Sequence, residues 1–143
     1  MRRIITTYTR WKLHLRPAHL PIIRNLDLPK LPSMVTVDLV FSDFLRYIKD
    51  QVQAYIIATY GDGKDIWETL SPSMYVVLTT PNGWEGSQQN RMRKAAIAAG
   101  LVDADGGRRV RFVTEAEACL ILLVQQKSYL LQCVAGRRTI CRR

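Results

Sequence analysis

The sequence predicts an α/β fold, and three observations carry that expectation. One apolar stripe at helical spacing runs through residues 37–56, two short β-branched runs occupy residues 75–80 and 110–113, and helical patterns follow each run. From residue 36 the order is helix, strand, helix, strand, helix. Strands alternating with helices favour a sheet flanked by helices.

Each element has a local reason. Trp11-Lys-Leu-His-Leu15 alternates apolar and polar residues, which predicts a short strand. Pro17, Pro21, Pro29 and Pro32 follow. Proline fixes φ and donates no hydrogen bond, so residues 17–36 read as an extended connector. Thr36 is placed to cap a helix, with Asp38 in its first turn, where the helix dipole favours an anion. Val37, Val40, Phe41, Phe44, Leu45, Ile48, Val52, Tyr55 and Ile56 then recur every three or four positions on one face. Gly61-Asp-Gly63 stops this helix, and a short helical turn fits around Ile66 and Trp67.

Residues 75–80, YVVLTT, form a continuous apolar run of the kind found in a central strand covered on both faces. Pro81-Asn-Gly83 breaks it. Ser87 is the expected cap of a helix over residues 87–99, with Gly100 just past its end and Met92, Ala95, Ala96 and Ala99 along one narrow stripe. Residues 103–107 read as a loop and 110–113 as a second strand. Thr114 and Glu117 fit a capping box, in which a threonine and a glutamate three residues on satisfy each other's backbone N–H groups. The helix they open is apolar on all sides over residues 118–124, which predicts burial. Beyond residue 126 the pattern weakens.

Length and charge bound the function. A chain of 143 residues and 48% hydrophobic composition holds one domain with a sizeable core. Its longest apolar stretch is seven residues, far short of the roughly 20 of a membrane helix. The net charge of +9 is unevenly spread: residues 1–30 carry +6, residues 31–126 carry −2 and residues 127–143 carry +5. Basic ends attract any polyanion and are a weaker nucleic-acid signal than a basic folded face. Three organisational segments follow: a basic strand and proline-rich connector over 1–35, a folded body over 36–126 and a basic tail over 127–143. Residues 1–16 are rich in Arg and Thr and free of acids. That composition suits a mitochondrial transit peptide or a strand with basic flanks. Cys119, Cys133 and Cys141 are odd in number and lack a CxxC pair, which points to a reducing, cytoplasmic setting without a zinc site.

Motifs for chemistry are sparse. Gly61-Asp-Gly-Lys64 lacks the first glycine of a phosphate-binding P-loop and is followed by Asp65, so it reads as a solvated turn. Asp103 and Asp105 lack the further ligands of a calcium loop. His14 and His19 have no neighbouring cysteine or carboxylate cluster, and no metal site is expected. Glu115 and Glu117 would stand about 200° apart around a helix, so they are not a carboxylate pair on one face. Trp84, beside Gly83, suits either a stacking platform or packing over a turn.

Two segments carry a resemblance. VLTTPNGWEG at 77–86, continued by SQQNRMRKAA at 87–96 and AGLV at 99–102, together with RFVTEAEA at 111–118, resembles the heat-shock protein 70 superfamily, in its divergent fungal-type branch. WKLHL at 11–15 and FSDFLRY at 41–47 are similar in order, so the likeness spans about residues 10–122. It implies an incomplete actin-like ATPase lobe, built on a ribonuclease H-like sheet with helices on both faces. Residues 75–80 would be a central strand, and 87–99 and 115–126 two of the lobe's helices. Pro81 would match the proline that couples nucleotide state to interdomain signalling, although Gln89 stands where its arginine partner is expected. Glu115 would match the glutamate near the hydrated metal and phosphates, with Ala116 in place of a glycine.

Neither phosphate loop of that family occurs in the sequence, and residues 126–143 have no counterpart in it, as in a truncated or mis-spliced end. The resemblance therefore implies a fragment of a chaperone ATPase that is inactive alone. No cofactor is expected for the chain itself, where full-length members use ATP and Mg²⁺. With the first hairpin of the sheet also missing, the exposed strand edge should favour self-association or docking on a full-length relative. The alternative is a small protein that binds nucleic acid or another polyanion non-specifically through its basic ends.

Overall fold

The computed structural model describes residues 11–21, 28–84 and 86–134, with side chains described through Gln125. Most of the basic N-terminal stretch and residues 135–143 of the basic tail lie outside the described residues, as does Cys141. The chain is mixed helix and sheet. Helices α1 (Val37–Thr59) and α2 (Gly63–Leu70) precede strand β1 (Val76–Thr80); α3 (Ser87–Ala98), β2 (Val110–Thr114) and α4 (Glu115–Val134) follow. Three 3-10 turns, Trp11–Leu15, Ser71–Ser73 and Ala104–Arg109, link them. The two strands run parallel, with Val76 opposite Val110 and Thr80 opposite Thr114, and α3 lies in the crossover between them. A parallel pair requires such a crossover.

The helix boundaries follow from their caps. The Thr36 hydroxyl accepts the Leu39 N–H at 3.2 Å and starts α1. Gly63 ends the turn between α1 and α2 because no larger residue fits: a Cβ there would collide with the Ile56 carbonyl and lie 2.7 Å from the Ile57 Cα. At the end of α3 the Leu101 N–H donates to the Ala96 carbonyl at 3.0 Å and the Gly100 N–H to Ile97 at 2.9 Å. Gly100 takes φ +68° to make this closure, the left-handed conformation that glycine adopts without strain.

The core lies between α1, α3 and the strands. Val37, Phe41 and Leu45 of α1 cluster with Met92, Ala95 and Ala96 of α3, with Ala99 just past its end, and with Val102 and Val110. Ala96 is fully buried. The alanine stripe expected from the sequence lets α1 and α3 approach closely, and Arg91 of α3 clamps Asp38 of α1 through Nε and Nη2 at 2.9 and 2.8 Å. That contact raises the Arg91 pKa above its ordinary value, chiefly through the hydrogen bond to Asp38.

Five expectations are corrected. Trp11–Leu15 is a 3-10 turn and not a strand. Trp11 packs on Phe41 and Phe44, with ring centroids 5.2 and 5.6 Å away, and Leu15 is buried. These contacts with α1 outweigh the period-2 pattern. β1 is not covered on both faces: its side chains alternate, with Val77 58% exposed and Thr80 buried. α4 is not buried. It touches both strands at its start, but Leu120, Ile121, Leu122, Leu123 and Val124 are each more than half exposed, since two strands offer too little surface to cover a helix apolar all round. Helix α4 also continues to Val134, into what the sequence suggested was tail. Finally, Ser87 is the first residue of α3 and not its cap; Gly86, at φ +54°, holds the cap position without a side-chain bond.

Candidate functional site

Parallel strands put both carboxyl ends at one end of the sheet, and each here delivers the chain to a helix N-terminus. Ligands of open α/β sheets bind outside these carboxyl ends. Beyond β1 the chain turns through Pro81, where the Trp84 N–H donates to the Pro81 carbonyl at 3.2 Å, and Gly83 takes φ +79°. Leu20 sits against Gly83, and Trp84 is buried, so this tryptophan packs over the turn and is no stacking platform. The Gln89 amide of α3 donates to the Trp84 carbonyl at 3.2 Å and fixes the turn to the helix. Beyond β2 no linker intervenes: Thr114 is both the last strand residue and the cap of α4.

The capping box forms as the sequence predicts. The Thr114 N–H donates to Glu117 Oε2 at 2.7 Å and the Glu117 N–H donates to Thr114 Oγ1 at 3.1 Å. The Thr114 hydroxyl also donates to Glu117 Oε2 at 2.9 Å. The backbone N–H of Thr114, followed by its hydroxyl, holds the Glu117 carboxyl below its ordinary pKa, so it is anionic near neutrality.

These groups border one crevice of about 170 Å³, lined among others by Thr80, Pro81, Trp84, Gln89, Thr114 and Glu117. Of the two site residues expected from the sequence, Pro81 lines this crevice and Glu115 does not. Glu115 pairs with Lys12 Nζ at 2.8 Å. The same ammonium lies 3.4 Å from the Thr79 carbonyl and 5.8 Å from the Trp84 ring centre, so Lys12 straps the N-terminal turn across the end of β1. Lys12 and Glu115 are 103 positions apart, and nothing local in the sequence announces the contact. Glu117 and Gln89 were legible as a cap residue and a departure from a motif, but not as walls of a crevice.

The crevice does not fit ATP and Mg²⁺. It is smaller than the roughly 300–1,000 Å³ of small-molecule sites. Among the described residues its one charged lining side chain is Glu117, which opposes a polyphosphate. Among the described residues no group of three or more His, Cys, Asp or Glu side chains could hold a metal ion. Among the described lining residues Glu117 also lacks a titratable neighbour with which to share acid and base roles. His14 is engaged elsewhere, its Nε2 3.1 Å from the Pro29 carbonyl in the connector. Among the described residues no helix is long and apolar enough to cross a membrane. The chain matches no family model, no curated protein and no solved structure.

Proposed function

We infer that this chain is part of the nucleotide-binding lobe of a heat-shock protein 70-like chaperone ATPase, acting in the cytoplasm, and that alone it neither binds ATP tightly nor hydrolyses it. The single observation that supports the reading is a coincidence of motif and topology. The PNGWEG stretch, the QQ and MR pairs and the FVTEAEA segment fall in one parallel β1–α3–β2 unit that runs straight into α4. A sheet flanked by helices is built from such units. Pro81 ends the first strand and Glu115 opens the helix after the second, the positions that the resemblance gives them.

Inactivity rests on chemistry. In this fold, phosphates are held by backbone N–H groups of two loops, and the sequence contains neither. The crevice that remains is small and carries a carboxylate. The reading extends to partners: among the described residues each strand of the two-stranded sheet has an unpaired edge, which favours self-association or docking on a full-length relative.

Calorimetric titration of the purified chain with Mg-ATP tests the biochemical half. No binding at micromolar concentrations is expected, and micromolar affinity overturns it. Sequencing the transcript on both sides of this reading frame tests the family half: the two glycine-rich phosphate loops are expected there, and their absence defeats the fragment reading. Steeply salt-dependent binding to oligonucleotides of any sequence, confined to the basic ends, would instead mark the polyanion-binding alternative.

A further inference from the structure

The amino end of β2 carries a second concave site, at the opposite end of that strand from the crevice. It is an open groove of about 520 Å³ lined by Arg93 of α3, Arg108 of the 3-10 turn and Arg111 of β2, together with Asp105, Gly107 and neighbouring apolar residues. Among the described residues three arginines from three separate elements meet there against one acid, a net charge of +2 in a body that is otherwise slightly acidic.

The arrangement is built, since the loop backbone is shaped around arginine side chains. Arg93 lies with its guanidinium 5.1 Å from the Phe112 ring centre and donates through Nε to the Gly107 carbonyl at 3.0 Å. A Cβ on Gly107 would come 3.2 Å from the Arg93 Cδ, so glycine there leaves room for that pose. The adjoining Arg109 is committed to structure: it pairs with Asp103 at 2.8 Å and also donates to the Pro72 carbonyl. Asp103 is thereby occupied. Among the described residues no ion pair engages Arg93, Arg108 or Arg111, and the Nη nitrogens of Arg93 make no hydrogen bond.

We propose that this groove binds phosphate groups, held between Arg93, Arg108 and Arg111. Planar guanidinium forks match phosphate oxygens, and a bound phosphate offers several acceptors to donors arriving from different sides, where one carboxylate would be satisfied by a single fork. A terminal phosphate carries about −1.5 to −2 at neutral pH, equal and opposite to the groove. Two consecutive phosphodiesters of a nucleic-acid strand supply the same charge, so a free phosphate compound and a strand backbone share the required chemistry. Arg93 is the oriented member; exposed Arg108 and Arg111 close on the ligand from the turn and the strand.

The test compares the full chain with Arg108→Gln/Arg111→Gln by amide NMR titration, using inorganic pyrophosphate in one arm and a mixed-sequence single-stranded oligonucleotide in the other. Amides of residues 93 and 104–111 are expected to shift in the wild type and to remain still in the variant. In the oligonucleotide arm the variant should also lower the slope of log affinity against log salt by about 1.4, the loss of two phosphate contacts on a single strand. Shifts with pyrophosphate assign a free phosphate compound; shifts with the oligonucleotide alone assign a strand backbone. Shifts confined to the basic ends, or a variant that titrates like the wild type, overturn the proposal. Both arginines are exposed, and an unchanged far-ultraviolet spectrum certifies the fold of the variant.

Discussion

Leu15→Ala tests whether the N-terminal turn is part of the domain. Leu15 is 1% exposed and belongs to the central cluster, with Trp11, Leu20 and Leu31 packed around that cluster. Truncating a buried leucine removes its transfer free energy and leaves a cavity, at a cost between about 2 and 5 kcal/mol. The turn packs mainly on α1 and sits at the rim of the core, where partial collapse is easier, so a value near 3 kcal/mol is expected. For a chain of this size that corresponds to a fall in melting temperature of roughly 10 °C. Leu15→Met keeps the volume and should cost less than about 1.5 kcal/mol. Leu122→Ala, on a residue 59% exposed, should lie within about 0.5 kcal/mol of the wild type. Urea unfolding followed at 222 nm, supported by a thermal scan, gives all three values. A midpoint for Leu15→Ala equal to that of the wild type would refute the reasoning, because it would mean that residues 11–15 are not docked on α1.

Other outcomes follow from single contacts. Gly63→Ala should destabilise strongly, since its new methyl meets the Ile56 carbonyl and the Ile57 Cα, both rigid backbone; Gly61→Ala, with open space around it, should be neutral or slightly stabilising, and paired melts read the contrast. The Glu117 carboxyl is held below its ordinary pKa in the folded chain, so its contribution is complete above the unfolded value, about 4.3, and is lost as pH falls through the lower folded value. Glu117→Gln should therefore flatten the acid limb of a stability-against-pH curve, and an unchanged limb would count against the capping box. The uncovered face of α4 and the strand edges should drive association at high protein concentration; Leu122→Glu should weaken it in sedimentation velocity, and a wild type that stays monomeric with a sharp thermal transition contradicts this.

What the sequence made legible was governed by neighbours in the chain. Thr36, Gly100 and the Thr114–Glu117 pair act within a few residues of themselves, so α1, the end of α3 and the start of α4 could be read closely. The same holds for the strands, where β-branched runs end at Pro81 and Thr114. Apart from the cap of α3, which moved one position to Gly86, and the length of α4, what failed depended on partners far along the chain. Burial of residues 118–124 requires a surface to cover them, and no property of Leu120 or Leu122 says whether it exists. Trp11 alternates with its neighbours as a strand would, but Phe41 and Phe44, thirty residues on, decide its conformation. The crevice wall at Glu117 and the strap from Lys12 to Glu115 were hidden for the same reason. The groove arginines were visible as charges, while their convergence required the crossover of α3.

The parallel pairing also sets a timetable for synthesis. Val76 must wait for Val110, which leaves the ribosome 34 positions later. At ordinary elongation rates of 5–20 residues per second, that is an interval of roughly 2–7 s. Throughout it the VVLTT segment is a nascent ribbon with both hydrogen-bonding margins vacant, and the helix that crosses between the strands must coil before its second anchor is made. A chaperone that captures extended apolar segments would meet an open target in this window, which closes only once Val110 has emerged.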